Sequence, residues 1–274
     1  MTSRTESGSW KPSSGETMII SREALENTAD ALLSEFDKYM KEKYGTGRGD
    51  PYGGTYIDIL AEEYFALNVR YEKLSPDGSL CGITAYENCE YTVPGCGKIK
   101  MRQNDVVLDI SFLTPPYVHR LCGKRRFTLA HEFAHQFLHQ ISCDDEERIS
   151  FRKKHSGYVE YSSTRLRSAE DWSEWQANVL AAAILMPRDD IEKAMWMFSP
   201  RATVTCFDGA RFPDAEDGQA VDNMARQFCV SKSAMILRLN GLGYLIEASS
   251  NKQERRLRWA VAIKLAPGNS SNMA

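Results

Sequence analysis

Much that would assign a class is missing from this sequence of 274 residues. No run is apolar enough to cross a bilayer: the longest, VLAAAILM, falls far short of the roughly 20 residues a spanning helix needs. The opening MTSRTESGSWKPSSGET lacks the apolar stretch of a signal peptide, which leads us to expect a cytoplasmic location and no membrane partner. The seven cysteines include no C-x-x-C pair, and their odd number speaks for a reducing compartment rather than a disulfide framework. Cys81, Cys89 and Cys96 lie near one another, but at spacings too wide for a zinc ribbon. Neither sign of charge prevails, with 34 Lys and Arg against 37 Asp and Glu, so no global basic field draws in nucleic acid. There is no internal repeat.

What is present reads as helices around a small sheet. Residues 1–17 are rich in Ser, Thr and Gly and have the composition of a mobile tail. From Ser21, a capping residue, REALENTADALLSEFDKYMKEKY sets Ala24, Leu25, Ala29, Leu32, Leu33 and Phe36 at helical spacing and stops at the breaker GTGRGDPYGG. A shorter helix is expected around TYIDILAEEYFA. LNVRYEKL, LCGITAYE and DVVLDISF read as strands, the last two separated by a turn-rich NCEYTVPGCGKIKMRQN. A helix, or two meeting near Gly123, follows from Thr114 through TPPYVHRLCGKRRFTLAHEFAHQFLHQIS. The polar stretch from Cys143 to Asp171 is expected to run over the surface. WSEWQANVLAAAILMPR is helical up to Pro187, and DNMARQFCV and SKSAMILRLNGLGY add two helical segments before a charged NKQERRLRWAVAIKL. The expected class is α+β: a mostly helical domain over 18–248 with a small antiparallel sheet, a helix-turn-helix-like pair at 218–242, and a charged tail at 249–274.

Three of the chain's five histidines, His131, His135 and His139, fall in RFTLAHEFAHQFLH. Residues 131–135 spell H-E-x-x-H. Four helical residues turn the side-chain direction by about 400°, so His131 and His135 share a face with Cβ atoms roughly 5–6 Å apart. Two imidazoles at that separation can both reach a zinc ion at about 2.0–2.1 Å. Glu132 projects about 100° further round. It is badly placed as a ligand and well placed to take a proton from water whose pKa a metal has lowered to roughly 7. An isolated H-E-x-x-H also arises by chance, but here Phe127, Ala130, Ala134 and Leu138 make the neighbouring face apolar, and buried imidazoles need partners. His139 sits eight residues after His131, not the ten of the extended pattern, and reads as a polar cationic cap at the helix end.

A third donor is expected from EWQANVLAAAILMP. Glu174 shares a helical stripe with Ala177, Asn178, Ala181 and Leu185, and such small side chains let two helices approach closely. A carboxylate buried there would be costly without a cation. Asn178, one turn on, is placed to hydrogen-bond a ligand imidazole or Glu174. Glu170 and Asp171 suit the helix N-terminus instead.

RFTLAHEFAH together with EWQANVLAAAILMP resembles the ImmA/IrrE family of metallo-endopeptidases, with similarity running from about Ile19 to Ile246. The resemblance implies one zinc ion per chain held by His131, His135 and Glu174, with Glu132 as the catalytic acid and base and Asn178 where the family has Asn or Asp. The family commonly has Phe where Leu180 stands and often Glu where Gln176 stands; Gln176 thus leaves no competing carboxylate beside Glu174. Family members cleave a repressor of the helix-turn-helix type, so a protein substrate of that class is implied here.

The rival reading is a DNA-associated regulator, or a toxin-antitoxin component, whose zinc site is structural or vestigial. In NMARQFCVSKSAMILRLNGLGYL the second helix offers Lys232, Arg238 and Asn240 amid Ala234, Met235, Ile236, Leu237 and Leu239, which is mostly core and disfavours direct DNA binding. A purely structural site also has no use for an acid between its histidines. His155, Tyr158 and Tyr161 are candidates to stabilise an oxyanion, and Cys143 lies in the same region without an assigned role.

Overall fold

The computed structural model describes residues 19–49, 54–93, 95, 97–114, 122–142, 149–151, 168–199, 201–206 and 215–247. Helix α1 (Arg22–Tyr44) starts where Ser21 Oγ accepts from the Ala24 N–H at 3.2 Å, and it ends at Gly45, whose φ of 66° only glycine adopts at low cost. Its inward stripe of Leu25, Ala29, Leu32, Leu33, Phe36 and Met40 enters the main core. A short α2 (Ile57–Ile59) runs on into a π-helical turn, Leu60–Tyr64.

Five strands follow: β1 (Asn68–Glu72), β2 (Gly82–Ala85), β3 (Cys89–Val93), β4 (Gly97–Met101) and β5 (Asp105–Asp109). After a 3-10 turn at Ile110–Leu113 come α3 (Cys122–Ser142), β6 (Ile149–Phe151), α4 (Ala169–Leu185), α5 (Arg188–Phe198), β7 (Val204–Cys206), α6 (Ala215–Gln227), α7 (Lys232–Gly241) and β8 (Leu245–Glu247). The class is α+β, with most of the described residues helical and the sheet beside the H-E-x-x-H helix.

The main sheet has the order β1-β5-β2-β6. β2 runs antiparallel to both β5 and β6, while β1 joins β5 in parallel, Val69 opposite Val106. The sheet is therefore mixed, because strand direction is decided by the crossover between β1 and β5 and leaves no local mark on either strand. β5 is buried at every position: Val106 and Leu108 enter the main helical core, whereas Val107 joins a smaller cluster with Leu74, Leu80, Ile83, Ala85 and Met101. That alternation sends the two faces of β5 into two cores. β2 obeys the same period, so Ile83 and Ala85 belong to the smaller cluster and Gly82 and Thr84 meet α3.

Several elements depart from expectation. The turn-rich stretch at 88–104 contains the hairpin β3–β4, whose half-exposed strands alternate too weakly to stand out beside Pro94 and Gly95. The surface excursion contributes β6 to the main sheet. Pro187, expected to end a helix, is also the N-cap of α5, with Asp189 and Asp190 in its first turn and Ile191, Ala194 and Met195 turned inward. The parallel pair β7–β8 went unforeseen because strands of three residues are too short to show a period.

The helix-turn-helix-like pair α6–α7 packs into the body of the protein. Arg238 is 2% exposed: its Nε donates to Met186 O at 2.8 Å, and its guanidinium forms a bidentate pair with Glu26 of α1. Lys232 forms an ion pair with Asp222 at 2.8 Å. Among the described residues no helix is long and apolar enough to cross a membrane. The expected tails at 1–17 and 249–274 lie outside the described residues.

Candidate metal centre

α3 and α4 pack extensively against one another, and both are lined with alanine at the contact: Ala130, Ala134, Ala177 and Ala181 are all fully buried. Without larger side chains in that layer, the histidines of one helix and the acid of the other can converge. α4 begins at a capping box in which Ser168 Oγ accepts from the Asp171 N–H and the Asp171 carboxylate accepts from the Ser168 N–H, both at 3.0 Å. The cap sets the start of the helix less than two turns before Glu174.

His131 and His135 are buried, with Nε2 atoms 3.0 Å apart and rings nearly perpendicular. Glu174 reaches both, Oε2 lying 3.3 Å from His131 Nε2 and Oε1 3.2 Å from His135 Nε2. One ligand atom from each of the three lies within 4.8 Å of the other two. Burial by itself raises the Glu174 pKa, but hydrogen bonds and positive charge from His131 and His135 outweigh it and hold the carboxyl well below its usual range. Asn178 Oδ1 sits 3.1 Å from His131 Nδ1. An amide oxygen only accepts, so it favours a proton on Nδ1; when the ring gives up the proton that Nε2 shares with Glu174, Nε2 is the nitrogen left to bind a metal. Two imidazole nitrogens and a carboxylate, converging in a buried place, form a donor set that suits a divalent metal ion. Among the described residues no other group of three or more such side chains comes this close together.

Glu132 is fully buried and turned toward β2, where a Cβ built on Gly82 would fall 2.9 Å from its Oε1. One turn later Gln136 Nε2 donates to Thr84 Oγ1 at 2.7 Å and to Ala85 O at 2.8 Å, tying α3 to the same strand. Neither Gly82 nor Gln136 was singled out from sequence. A lone glycine within the strand-like LCGITAYE was the available signal, since it marks a close backbone approach.

His139 stands outside the trio and stacks on Tyr86, with ring centroids 4.0 Å apart and planes at 3°. It lies in the last turn of α3, as its position suggested, and burial lowers its pKa, which disfavours the cationic form there. Gln176 accepts the Ile20 N–H at 2.6 Å, which pins the start of the first helix to α4. Cys81 is buried and Cys89 half-buried, while Cys96, Cys143, His155, Tyr158 and Tyr161 lie outside the described residues.

Residues 123–240 match the Peptidase M78 family, described as an IrrE N-terminal-like domain. The match is narrower than the span from Ile19 to Ile246 over which the resemblance was read, yet it takes in α3, α4 and most of α7. No curated protein matches the chain. Residues 123–240, which carry the trio and the helices that hold it, are thus similar to an IrrE N-terminal-like domain, consistent with the ImmA/IrrE metallopeptidases that the motifs resemble.

Proposed function

We propose that this protein is a zinc-dependent endopeptidase with one ion per chain, and that it cleaves a helix-turn-helix repressor or antitoxin in the cytoplasm. The observation that carries the peptidase reading is the convergence of His131, His135 and Glu174 with Glu132 buried on the next face of the same helix. A bound zinc would supply Lewis-acid chemistry, polarising a peptide carbonyl and acidifying water. His131, His135 and Glu174 would hold the ion, and Asn178 would keep His131 in the tautomer that offers Nε2. Glu132 would accept the proton of the attacking water and return it to the departing amine. His131 and His135 are buried and Glu174 partly so, which strengthens the charge interactions among them. The substrate class rests on the resemblance of the motifs. The free cysteines Cys81, Cys89, Cys122, Cys206 and Cys229 suit a reducing compartment.

The rival DNA-binding reading loses support from the packing of α7, whose Arg238 is committed to Glu26 and Met186 inside the protein. Metal analysis beside intact-mass analysis of candidate repressors tests the proposal. Wild type should hold about one zinc and cut at one bond. Glu132→Gln should keep the metal and lose cleavage by about 100-fold or more, and Glu174→Ala should lose metal affinity. Cleavage by Glu132→Gln at the wild-type rate would remove Glu132 as the base. Metal without cleavage of any repressor would sink the substrate assignment.

A further inference from the structure

We propose that Gly82 is a positioning residue for Glu132, because β2 omits a side chain where the Glu132 carboxylate lies against it. A Cβ at Gly82 would fall 2.7 Å from Thr128 Cγ2, 2.9 Å from Glu132 Oε1 and 3.0 Å from Glu132 Cγ. Non-bonded carbons prefer about 3.5–4.0 Å, so something must move. The backbone at Gly82 lies outside the left-handed region, so space rather than conformation calls for glycine here.

The surroundings decide what moves. β2 is paired on both sides, with Gly82 opposite Leu108 of β5 and Ile83 opposite Phe151 of β6. Gln136 fastens it to α3 through Thr84 and Ala85, so strand and helix cannot separate locally. α3 is held from its other side by the His131–Asn178 contact. Thr128 is β-branched and its Oγ1 donates to Lys124 O at 3.0 Å, which leaves its methyl little freedom. The group able to yield is the far end of Glu132, which turns about three side-chain bonds. An added methyl at position 82 therefore displaces the Glu132 carboxylate and strains the contact with Thr128, while none of the three atoms nearest to it belongs to His131, His135 or Glu174. Gly82 would then separate two properties that one short helix segment carries together, metal holding and proton transfer.

The kinetic part of this inference rests on the peptidase reading; the placement does not. Gly82→Ala should bind zinc within about threefold of wild type, while a crystal structure shows the Glu132 carboxylate shifted by about 1 Å or more. On a quenched peptide that wild type cuts, kcat should fall about 100-fold with KM within about threefold. In Gly82→Ala/Thr128→Ser the serine keeps the bond to Lys124 and removes the methyl; thermal stability should return while Glu132 stays displaced. The inference fails if the carboxylate of Gly82→Ala keeps its place, if zinc is lost along with activity, or if the double variant restores both stability and cleavage. A wild type that cuts nothing would overturn the peptidase reading, with the crystal structure and zinc titration still deciding the role of Gly82.

Discussion

Asn178 is uncharged, yet it decides which nitrogen of His131 is free, since its Oδ1 lies 3.1 Å from Nδ1. Asn178→Ala should lower zinc affinity about 10–100-fold in competition with a chromophoric chelator, with the helical content unchanged. Unaltered affinity would mean that packing alone orients the ring. At His139 the folded-state pKa lies below the ordinary histidine value of about 6.5, because burial disfavours the cation. The unfolded chain therefore takes up a proton first as pH falls, so this residue's contribution to stability is full above about 6.5 and shrinks below it. His139→Gln should flatten that part of the stability profile between pH 7 and 5, read as the difference in urea midpoints between variant and wild type. At this scale the trio was legible: H-E-x-x-H and the Glu174 stripe are local patterns, visible wherever a helix is. Gly82 was not, because a glycine's meaning lies in what approaches it.

Among the elements, α7 is fastened to α1 by the buried pair of Arg238 and Glu26, and to the end of α4 through Met186 O. Removing one partner strands the other charge in the core, so Arg238→Ala should cost about 3–5 kcal/mol in urea unfolding. Arg238→Met with Glu26→Leu should recover much of that loss; if it does not, the three hydrogen bonds matter more than the charge. The long helices could be read from their period and caps, as Ser21 and Gly45 show for α1. Elements whose pairing partner is distant escaped: β6, β7 and β8 span three residues each and exist because another strand stands beside them. α5 carried its own signals in Asp189, Asp190 and the inward Ile191, Ala194 and Met195, but the proline before it was read only as an end.

For the molecule as a whole, a metal held by His131, His135 and Glu174 would cross-link α3 to α4 across a long intervening segment. A ligand at a hundred times its Kd adds about 2.7 kcal/mol. Stripping the metal with a chelator should therefore lower Tm by about 5–10 °C in scanning calorimetry. Glu174→Ala should show a much smaller shift on chelation, and an equal shift would place the metal elsewhere. Sequence alone determined the chemistry available, two imidazoles and an acid on one helix and a third donor on a second, since helical spacing converts directly into a shared face. It also determined that the second helix could come close, through its alanines. Only the tertiary structure decided that Arg238 is a core cation rather than a DNA contact, that His139 stacks away from the site, and that Glu132 faces a bare stretch of β2. Each of those depends on which surfaces meet, and that is set by the packing of elements far apart in the chain.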